Sequence, residues 1–497
     1  MHYNNFTDKR LPLIQRFVCA GVALIMLVSA NAQTPKKSTT AADTQGYDIT
    51  ATVAPFKNAW LYLGTYYGKY KTLADSAMAD ANGTAVFKGT KKLDKGIYFL
   101  VSPDKAILFE ILMDDKQHFA VKADTAHSES ISFTGSEENT SFQNYTKFLA
   151  QHVPTLTRLQ AQLKAATNAA DSAQIMADIT KENKALDAYR EQIIKTNPTS
   201  MLTLFFKSVK RPEVPAGIDR NSKEAFFYVK EHYWDDVPFD DARLLHTPFF
   251  DPKIDEYFKY YVSPEPDSVK EEVNYMLLSA RTNKDMFQYL LGKFTDKYIN
   301  PDIMGQDKVF LFLFDNYFSK GDTAWLKPGQ RKYIFDRAYS LMANQIGEAA
   351  PTLDLTDSSG KVRPLYDVQA PYTFVIFWDP NCSHCKVEVP RVDSIYKAKW
   401  QAKGVKVYAV NTSDAAVQEW KSFINEHHLD NWTHVYQTKE AKTADEVSNR
   451  PNYRQLYDVF QTPTMYLLDK DKHIIAKGLS ILQFDEVMNH QAKPETK

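Results

Sequence analysis

Two cysteines in the last quarter of the sequence have a spacing that suits redox chemistry. Cys382 and Cys385 enclose Ser383 and His384 in a Cys-x-x-Cys pattern, directly after an apolar run that ends at Trp378. If a strand ends there and a helix begins at the cysteines, the free N–H groups and partial positive charge of the helix N-terminus face the first sulfur. The pattern predicts a nucleophilic thiolate at Cys382 and a resolving thiol at Cys385, which attacks the mixed disulfide.

The helix terminus and His384 together can supply the stabilisation that such a thiolate needs. Lowering a thiol pKa from about 8.5 to about 6.5 requires about 2.7 kcal/mol, and a partly buried helix end contributes up to about 2 kcal/mol. His384 adds a positive charge or a hydrogen bond. Two other interpretations stay open: a zinc site, which needs more ligands than this pair, and a vestigial centre on a binding module.

The third cysteine and the charge balance narrow the possible functions. Cys19 lies in the N-terminal apolar run, so Cys382 and Cys385 are the only pair in the expected mature chain. A disulfide between them closes too small a loop to stabilise a fold much.

The charges of the chain are nearly balanced, since Lys plus Arg number 60 and Asp plus Glu number 61. This near-balance argues against nucleic acid or anionic lipid as the main partner.

Residues 1–32 have the features of a signal peptide. Basic residues precede an apolar run over 17–28, and Ala30 and Ala32 form the small-x-small pattern of a cleavage site. The run of about a dozen residues is short for a membrane span of about 20. We expect an exported protein of the periplasm or cell envelope, with a flexible leader over 33–45 and no membrane span in the mature chain. A retained N-terminal anchor is the alternative.

Periodicity divides the rest of the chain into three parts. Residues 46–135 alternate with period two, which predicts a small antiparallel sandwich or barrel. From 136 to 345 the period is helical, which predicts a helical spacer or docking domain. From 346 to 492 strands alternate with helices, which predicts a central sheet covered on both faces. The period-two runs are Ile49, Ala51 and Val53, then Trp60, Tyr62 and Gly64, and then Ile97, Phe99 and Val101.

The last part resembles the exported TlpA/ResA-like thioredoxins and redoxins of the thioredoxin superfamily. The resemblance rests on Phe377-Trp378 before the cysteine pair, on Pro390 in the helix after it, and on Thr462-Pro463 before a predicted strand. In that family this second proline is cis and lies beside the sulfurs, and the preceding backbone pairs with a substrate peptide. The resemblance implies substrate binding by Trp378, Thr462 and Pro463. The two upstream parts resemble lead segments of Bacteroidota-type envelope proteins.

The resemblance also singles out Glu388, three residues after Cys385 and so one helical turn away. In the exported branch a Glu at this spacing tunes the cysteines and passes protons, whereas the alternative is a solvated helix residue. Ile376 stands where ordinary thioredoxins carry a buried Asp, so proton transfer must use another group. The predicted catalytic set is therefore Cys382, Cys385, Glu388 and His384.

These observations predict a thiol–disulfide oxidoreductase without cofactor or metal. It would exchange dithiols and disulfides with cysteine-containing exported proteins and would be recharged by a separate redox partner. One alternative is a peroxiredoxin-like peroxidase, although that class carries Thr three residues before its reactive cysteine and this chain has Asp379 there. The other alternative is an envelope scaffold with a vestigial thioredoxin module.

Overall fold

The computed structural model describes residues 46–125, 127–413, 416–448 and 450–491. The predicted signal peptide and leader lie outside these residues. The described chain forms two compact units, one made of residues 46–262 and 276–289 and the other of residues 263–275 and 290–491. Within the described ranges, no helix has both the length and the apolar character needed to cross a membrane. The division into three domains at 135 and 345 stays a prediction.

The first unit begins with two four-stranded sheets, ordered β4-β1-β7-β8 and β3-β2-β5-β6. Neighbouring strands are antiparallel except β1 and β7, which run parallel. The strands are β1 (Tyr47–Ala54), β2 (Trp60–Tyr67), β3 (Tyr70–Met78), β4 (Thr84–Gly89), β5 (Gly96–Val101), β6 (Ile107–Met113), β7 (His118–Asp124) and β8 (His127–Thr134).

One apolar core joins the two sheets, so this part is a β-sandwich. Ile49, Ala51 and Val53 of β1 are fully buried in it, as their alternation predicted. The strand predicted from Trp60, Tyr62 and Gly64 is present as β2, and it buries Leu61 and Leu63, whereas Trp60 is half exposed. In β5 all six residues are buried rather than alternate ones, because a 3₁₀ helix (Ala242–His246) covers its other face.

Helices follow the sandwich, and the first is fastened to it by a buried amide. Ser136 caps α1, and the side chain of Asn139 in its first turn bonds both the N–H and the carbonyl of Leu112 in β6, each at 2.8 Å. The helices are α1 (Glu137–Ala165), α2 (Ala169–Thr196), α3 (Met201–Val209), α4 (Lys223–Glu231), α5 (Phe250–Tyr260), α6 (Pro266–Ser279), α7 (Lys284–Tyr298), α8 (Asp307–Leu313) and α9 (Pro328–Met342).

The C-terminal sheet has seven strands in the order β10-β9-β13-β12-β11-β14-β15. Its strands are β9 (Asp354–Thr356), β10 (Val362–Pro364), β11 (Thr373–Trp378), β12 (Lys406–Asn411), β13 (Thr433–Tyr436), β14 (Thr464–Leu468) and β15 (Ile474–Lys477). Its helices are α10 (Ser383–Ile395), α11 (Val417–Glu426), α12 (Lys439–Ser448), α13 (Tyr453–Leu456) and α14 (Ile481–Gln491).

The strand that leads to the cysteines lies at the centre of this sheet and is buried on both faces. β11 pairs in parallel with β12 and antiparallel with β14. Phe374, Ile376 and Trp378 point into one apolar core, and Val375 and Phe377 into another on the opposite face. The predicted α/β fold with a sheet covered on both sides is confirmed. The β9–β10 hairpin and the helices α12 and α13 were not predicted, because their polar, short segments have no clear period.

Phe484 on α14 tests how far this core stabilises the C-terminal domain. Its ring is fully buried and lies 5.2 Å from the ring of Phe374. We expect Phe484→Ala to lower the free energy of unfolding by about 3–5 kcal/mol, since it removes a buried ring and leaves a cavity. Urea unfolding followed by tryptophan fluorescence measures the change. Leu482→Ala on the same helix is the control, because that side chain is 70% exposed. An equal loss of unfolding free energy in both variants would contradict a stabilising role of the buried Phe484 ring.

Candidate active site

The first cysteine occupies the position at which the strand gives way to the helix. β11 ends at Trp378, and Cys382 is the N-cap residue of α10 with extended backbone angles. The turn between them is closed by the N–H of Cys382, which donates to the carbonyl of Asp379 at 3.1 Å. The sulfur of Cys382 therefore lies at the N-terminus of a helix, where free N–H groups favour a negative charge.

A loop from the other end of the domain completes the surroundings of this sulfur. The peptide bond between Thr462 and Pro463 is cis, as the resemblance predicted. The thiol of Cys382 donates to the carbonyl oxygen of Thr462, 3.3 Å away. This loop leads into β14, and Thr464 at its start pairs with Phe377 of β11. The pairing of the two strands thus holds the loop beside the cysteine.

The two cysteines are free thiols with opposite electrostatic environments. Partial burial by itself raises the pKa of Cys382, but hydrogen bonds from the Thr462 side chain, from Cys385 and from the His384 backbone outweigh it and lower the pKa below the ordinary thiol value. Burial raises the pKa of Cys385 to about 12. The outer sulfur therefore ionises at a lower pH than an ordinary thiol, whereas the inner one keeps its proton at neutral pH.

Cys385 lies in an apolar pocket. It is fully buried in the core that also contains Ile376 and Val389. Ile376 occupies the strand position at which the family's buried Asp was expected, so this pocket receives no carboxylate from β11. A charged thiolate is costly in such a pocket, which is the physical reason for the raised pKa.

Asp379 shapes the site, although from the sequence it is only the residue that replaces the Thr of peroxidases. Its backbone N–H bonds the sulfur of Cys385 and opposes the effect of burial. Its side chain accepts the N–H of Asn381 at 2.8 Å, which forms the turn before the helix. The Asp-Pro-Asn composition of this segment is a turn signal that could have revealed this role.

The other predicted site residues have different surroundings. His384 is exposed, and it is its backbone N–H that reaches the sulfur of Cys382. Glu388 is partly exposed, and in the described residues its carboxylate pairs with Arg391 at 2.7 Å rather than with a cysteine. Trp378 is fully buried against Phe423. Its predicted role in substrate binding stays a prediction that this position does not favour.

The opposite pKa shifts lead to a direct test by alkylation. Because the folded protein lowers the pKa of Cys382, its thiolate forms below the pH at which an ordinary thiol ionises. We expect iodoacetamide to modify Cys382 of the reduced protein with a rate whose inflection lies below the pH at which an ordinary thiol ionises, and Cys385 to react only after unfolding. Peptide mass spectrometry at a series of pH values measures both rates. Equal reactivity of the two cysteines in the folded protein would contradict the asymmetry.

Two family models match separate parts of the chain. Residues 346–477 match the AhpC/TSA family, which covers the seven-stranded sheet and both cysteines. Residues 160–334 match a domain of unknown function, DUF5106, within the helical part.

Curated relatives and solved structures give further matches. The thiol-disulfide oxidoreductase ResA of Bacillus cereus is 28% identical over 133 residues, 27% of this chain and 69% of the relative. ResA of Oceanobacillus iheyensis is 24% identical over 152 residues, 29% of this chain and 72% of the relative. A thioredoxin-like protein from Bacteroides caccae is 20% identical with a TM-score of 0.45, covering 57% of this chain and 98% of its own. A domain of a possible thiol-disulfide isomerase from Cytophaga hutchinsonii is 36% identical with a TM-score of 0.26, covering 29% and 92%.

The predicted enzyme class, thiol–disulfide oxidoreductase, agrees with the names of the curated relatives. The segment that the AhpC/TSA model matches carries both the cysteine pair and the sheet that holds it, and together with the ResA relatives this match supports a TlpA/ResA-like protein of the thioredoxin superfamily.

Proposed function

We propose that this protein exchanges dithiols and disulfides with cysteine-containing exported proteins through Cys382 and Cys385. The observation that carries the proposal is the asymmetry of the pair: Cys382 is partly accessible with a lowered pKa, and Cys385 is buried with a raised one. A thiolate is the attacking species in exchange, and a thiol that stays protonated beside it does not compete for the substrate.

The proposed reaction proceeds in two displacements. The thiolate of Cys382 attacks one sulfur of a partner disulfide, forms a mixed disulfide and releases the partner's other sulfur as a thiolate. Cys385 then loses its proton and attacks the sulfur of Cys382, which releases the reduced partner and leaves a disulfide between the two cysteines. Run backwards, the same steps oxidise a partner dithiol. No cofactor enters either direction.

The second displacement needs a proton acceptor, since burial holds the proton on Cys385. We assign this role to Glu388, which lies on the same helix one turn after Cys385. Its carboxylate is partly exposed and bonded to Arg391, so it can exchange protons with solvent. In the mixed disulfide the sulfur of Cys382 carries no charge, which removes one of the causes that raise the pKa of Cys385.

A peroxidase is the second candidate, because the matching family is described as AhpC/TSA. The residue three positions before Cys382 argues for exchange instead. Asp379 offers a carboxylate there, and that carboxylate accepts the N–H of Asn381. A carboxylate is an acceptor only, so it cannot donate a hydrogen bond to a peroxide oxygen as the hydroxyl of the expected Thr can.

The proposed location rests on the signal-peptide pattern of residues 1–32. An oxidising compartment outside the cytoplasm is where protein disulfides form and persist. Partners in this proposal are therefore exported proteins with cysteines, together with a separate redox protein that restores the reactive form of the pair.

Trapping of mixed disulfides tests the proposed exchange. Cys385→Ser retains the attacking thiolate and removes the only internal sulfur that can release the partner, so we expect covalent adducts with exported proteins to accumulate. Non-reducing electrophoresis and mass spectrometry of purified adducts measure this. Cys382→Ser is the matched control, and we expect few adducts from it. Equal recovery from both variants would overturn the nucleophile assignment, and no adducts from either folded variant would favour the scaffold.

Substitution of Glu388 tests the proton step separately. We expect Glu388→Gln to change the pH dependence of the exchange rate while the circular dichroism spectrum stays the same, because the amide cannot accept the proton of Cys385. Arg391→Gln is the control: it breaks the same ion pair but retains the carboxylate. An identical pH–rate profile for Glu388→Gln and the unmodified protein would show that Glu388 is a solvated helix residue with no role in the proton step.

A further inference from the structure

The loop beside Cys382 is held by side chains that precede the redox segment in the chain. Asp458 lies four residues before Thr462, and its carboxylate forms an ion pair with Arg337 of α9. Both side chains are largely buried, with 10% of Arg337 and 18% of Asp458 exposed. The same guanidinium donates from Nε to the carbonyl of Ile299 at 3.2 Å and lies 5.7 Å from the ring of Phe460.

A second contact joins the same two segments. The fully buried Asn344, just after α9, donates to the carbonyl of Leu456 at 2.9 Å and to that of Ser340 at 2.8 Å. Its side-chain oxygen accepts from Lys477 of β15 at 2.6 Å. The chain is therefore bonded to the helical residues at two points, 456 and 458, shortly before it reaches the cis-proline loop.

Apolar packing holds Tyr457 and Val459 in the core, but it does not extend to the next two residues before the cis-proline loop. Phe460 is 71% exposed and Gln461 is exposed. Asp458 has a left-handed backbone, with φ of 54°, which a non-glycine residue adopts at some cost. A buried ion pair has directional geometry, and it can fix the turn at Asp458 just before the two exposed residues.

We propose that Arg337 is a positioning residue of the redox centre, which orients the loop that carries Thr462 and thereby the hydrogen bonds that Thr462 makes with Cys382. The helical segment around α9 then acts as part of the catalytic apparatus rather than as a spacer. This inference rests on the proposed function in one respect: the loop that Arg337 orients is the one that would receive the substrate.

Two conservative variants test the proposal. Asp458→Asn removes the charge but keeps the shape, and Asn tolerates the left-handed backbone better than most residues. Arg337→Lys keeps the charge but loses the planar fork that bonds Asp458 and Ile299 together. Lys332→Gln is the control, since Lys332 lies on the same helix with 75% of its side chain exposed.

The readout is the rate at which iodoacetamide modifies Cys382 as a function of pH. If Thr462 moves away, Cys382 loses the hydrogen bond from the Thr462 side chain, which lowers the pKa of the thiol, and the inflection of the profile moves to higher pH. We expect a several-fold slower reaction at pH 7 in Asp458→Asn and Arg337→Lys, an unchanged plateau at high pH, and no change in Lys332→Gln. A shift of one pH unit corresponds to about a tenfold lower thiolate fraction.

An unchanged inflection in folded Arg337→Lys, the milder variant, would overturn the proposal, whether or not Asp458→Asn folds. A loss of stability alone, with the inflection in place, would make the ion pair purely structural and would also overturn it. Alkylation does not depend on a partner protein, so the result is independent of the trapping experiment. Failure of trapping with a shifted inflection would reject disulfide exchange and leave the role of Arg337 intact.

Discussion

The sulfur of Cys382 makes hydrogen bonds with two segments that lie 80 residues apart in the sequence. One is the start of α10, whose backbone N–H groups face the sulfur, and the other is the loop at Thr462. Neither segment alone provides this environment. The turn after β11 positions the start of α10, and the pairing of β11 with β14 positions the loop at Thr462. The chemistry of the site therefore depends on the register of the central strand β11.

Burial divides two chemically identical thiols into different roles. The helix places Cys382 at its cap and Cys385 one turn further, where the side chain enters the apolar core with Ile376 and Val389. Because a charge is costly in that core, the pKa of Cys385 rises to about 12, while the cap lowers that of Cys382. The same helix thus provides both the thiolate and the protonated thiol that the exchange requires.

Buried ion pairs connect the last helices of the middle part with the redox domain. Besides Arg337 and Asp458, Lys477 of β15 bonds Asp307 of α8 at 2.6 Å, with 12% and 4% of their side chains exposed. Burial lowers the pKa of Lys477, and Asp307 opposes that change. Such pairs add little to stability when compared with apolar packing, but removal of one partner leaves a costly unpaired charge. They therefore specify how these helices meet the sheet, which suits a role in positioning.

The sequence by itself determined the local features: the cysteine pair at a strand–helix junction, the alternation of β1, and the order of the strands and helices after residue 372 except α12 and α13. Each depends on neighbours along the chain, and periodicity reports these directly, whereas the loop at Pro463 was implied by the family resemblance. Only the tertiary structure decided that Trp378 is buried, that β5 is covered on both faces, and that Arg337 meets Asp458 across 121 residues of sequence. The pattern of apolar residues along a strand or helix shows which of its sides is apolar, but not which distant segment covers that side. The partners of Cys382 and Arg337 therefore follow from the folded chain and not from the spacing of their neighbours.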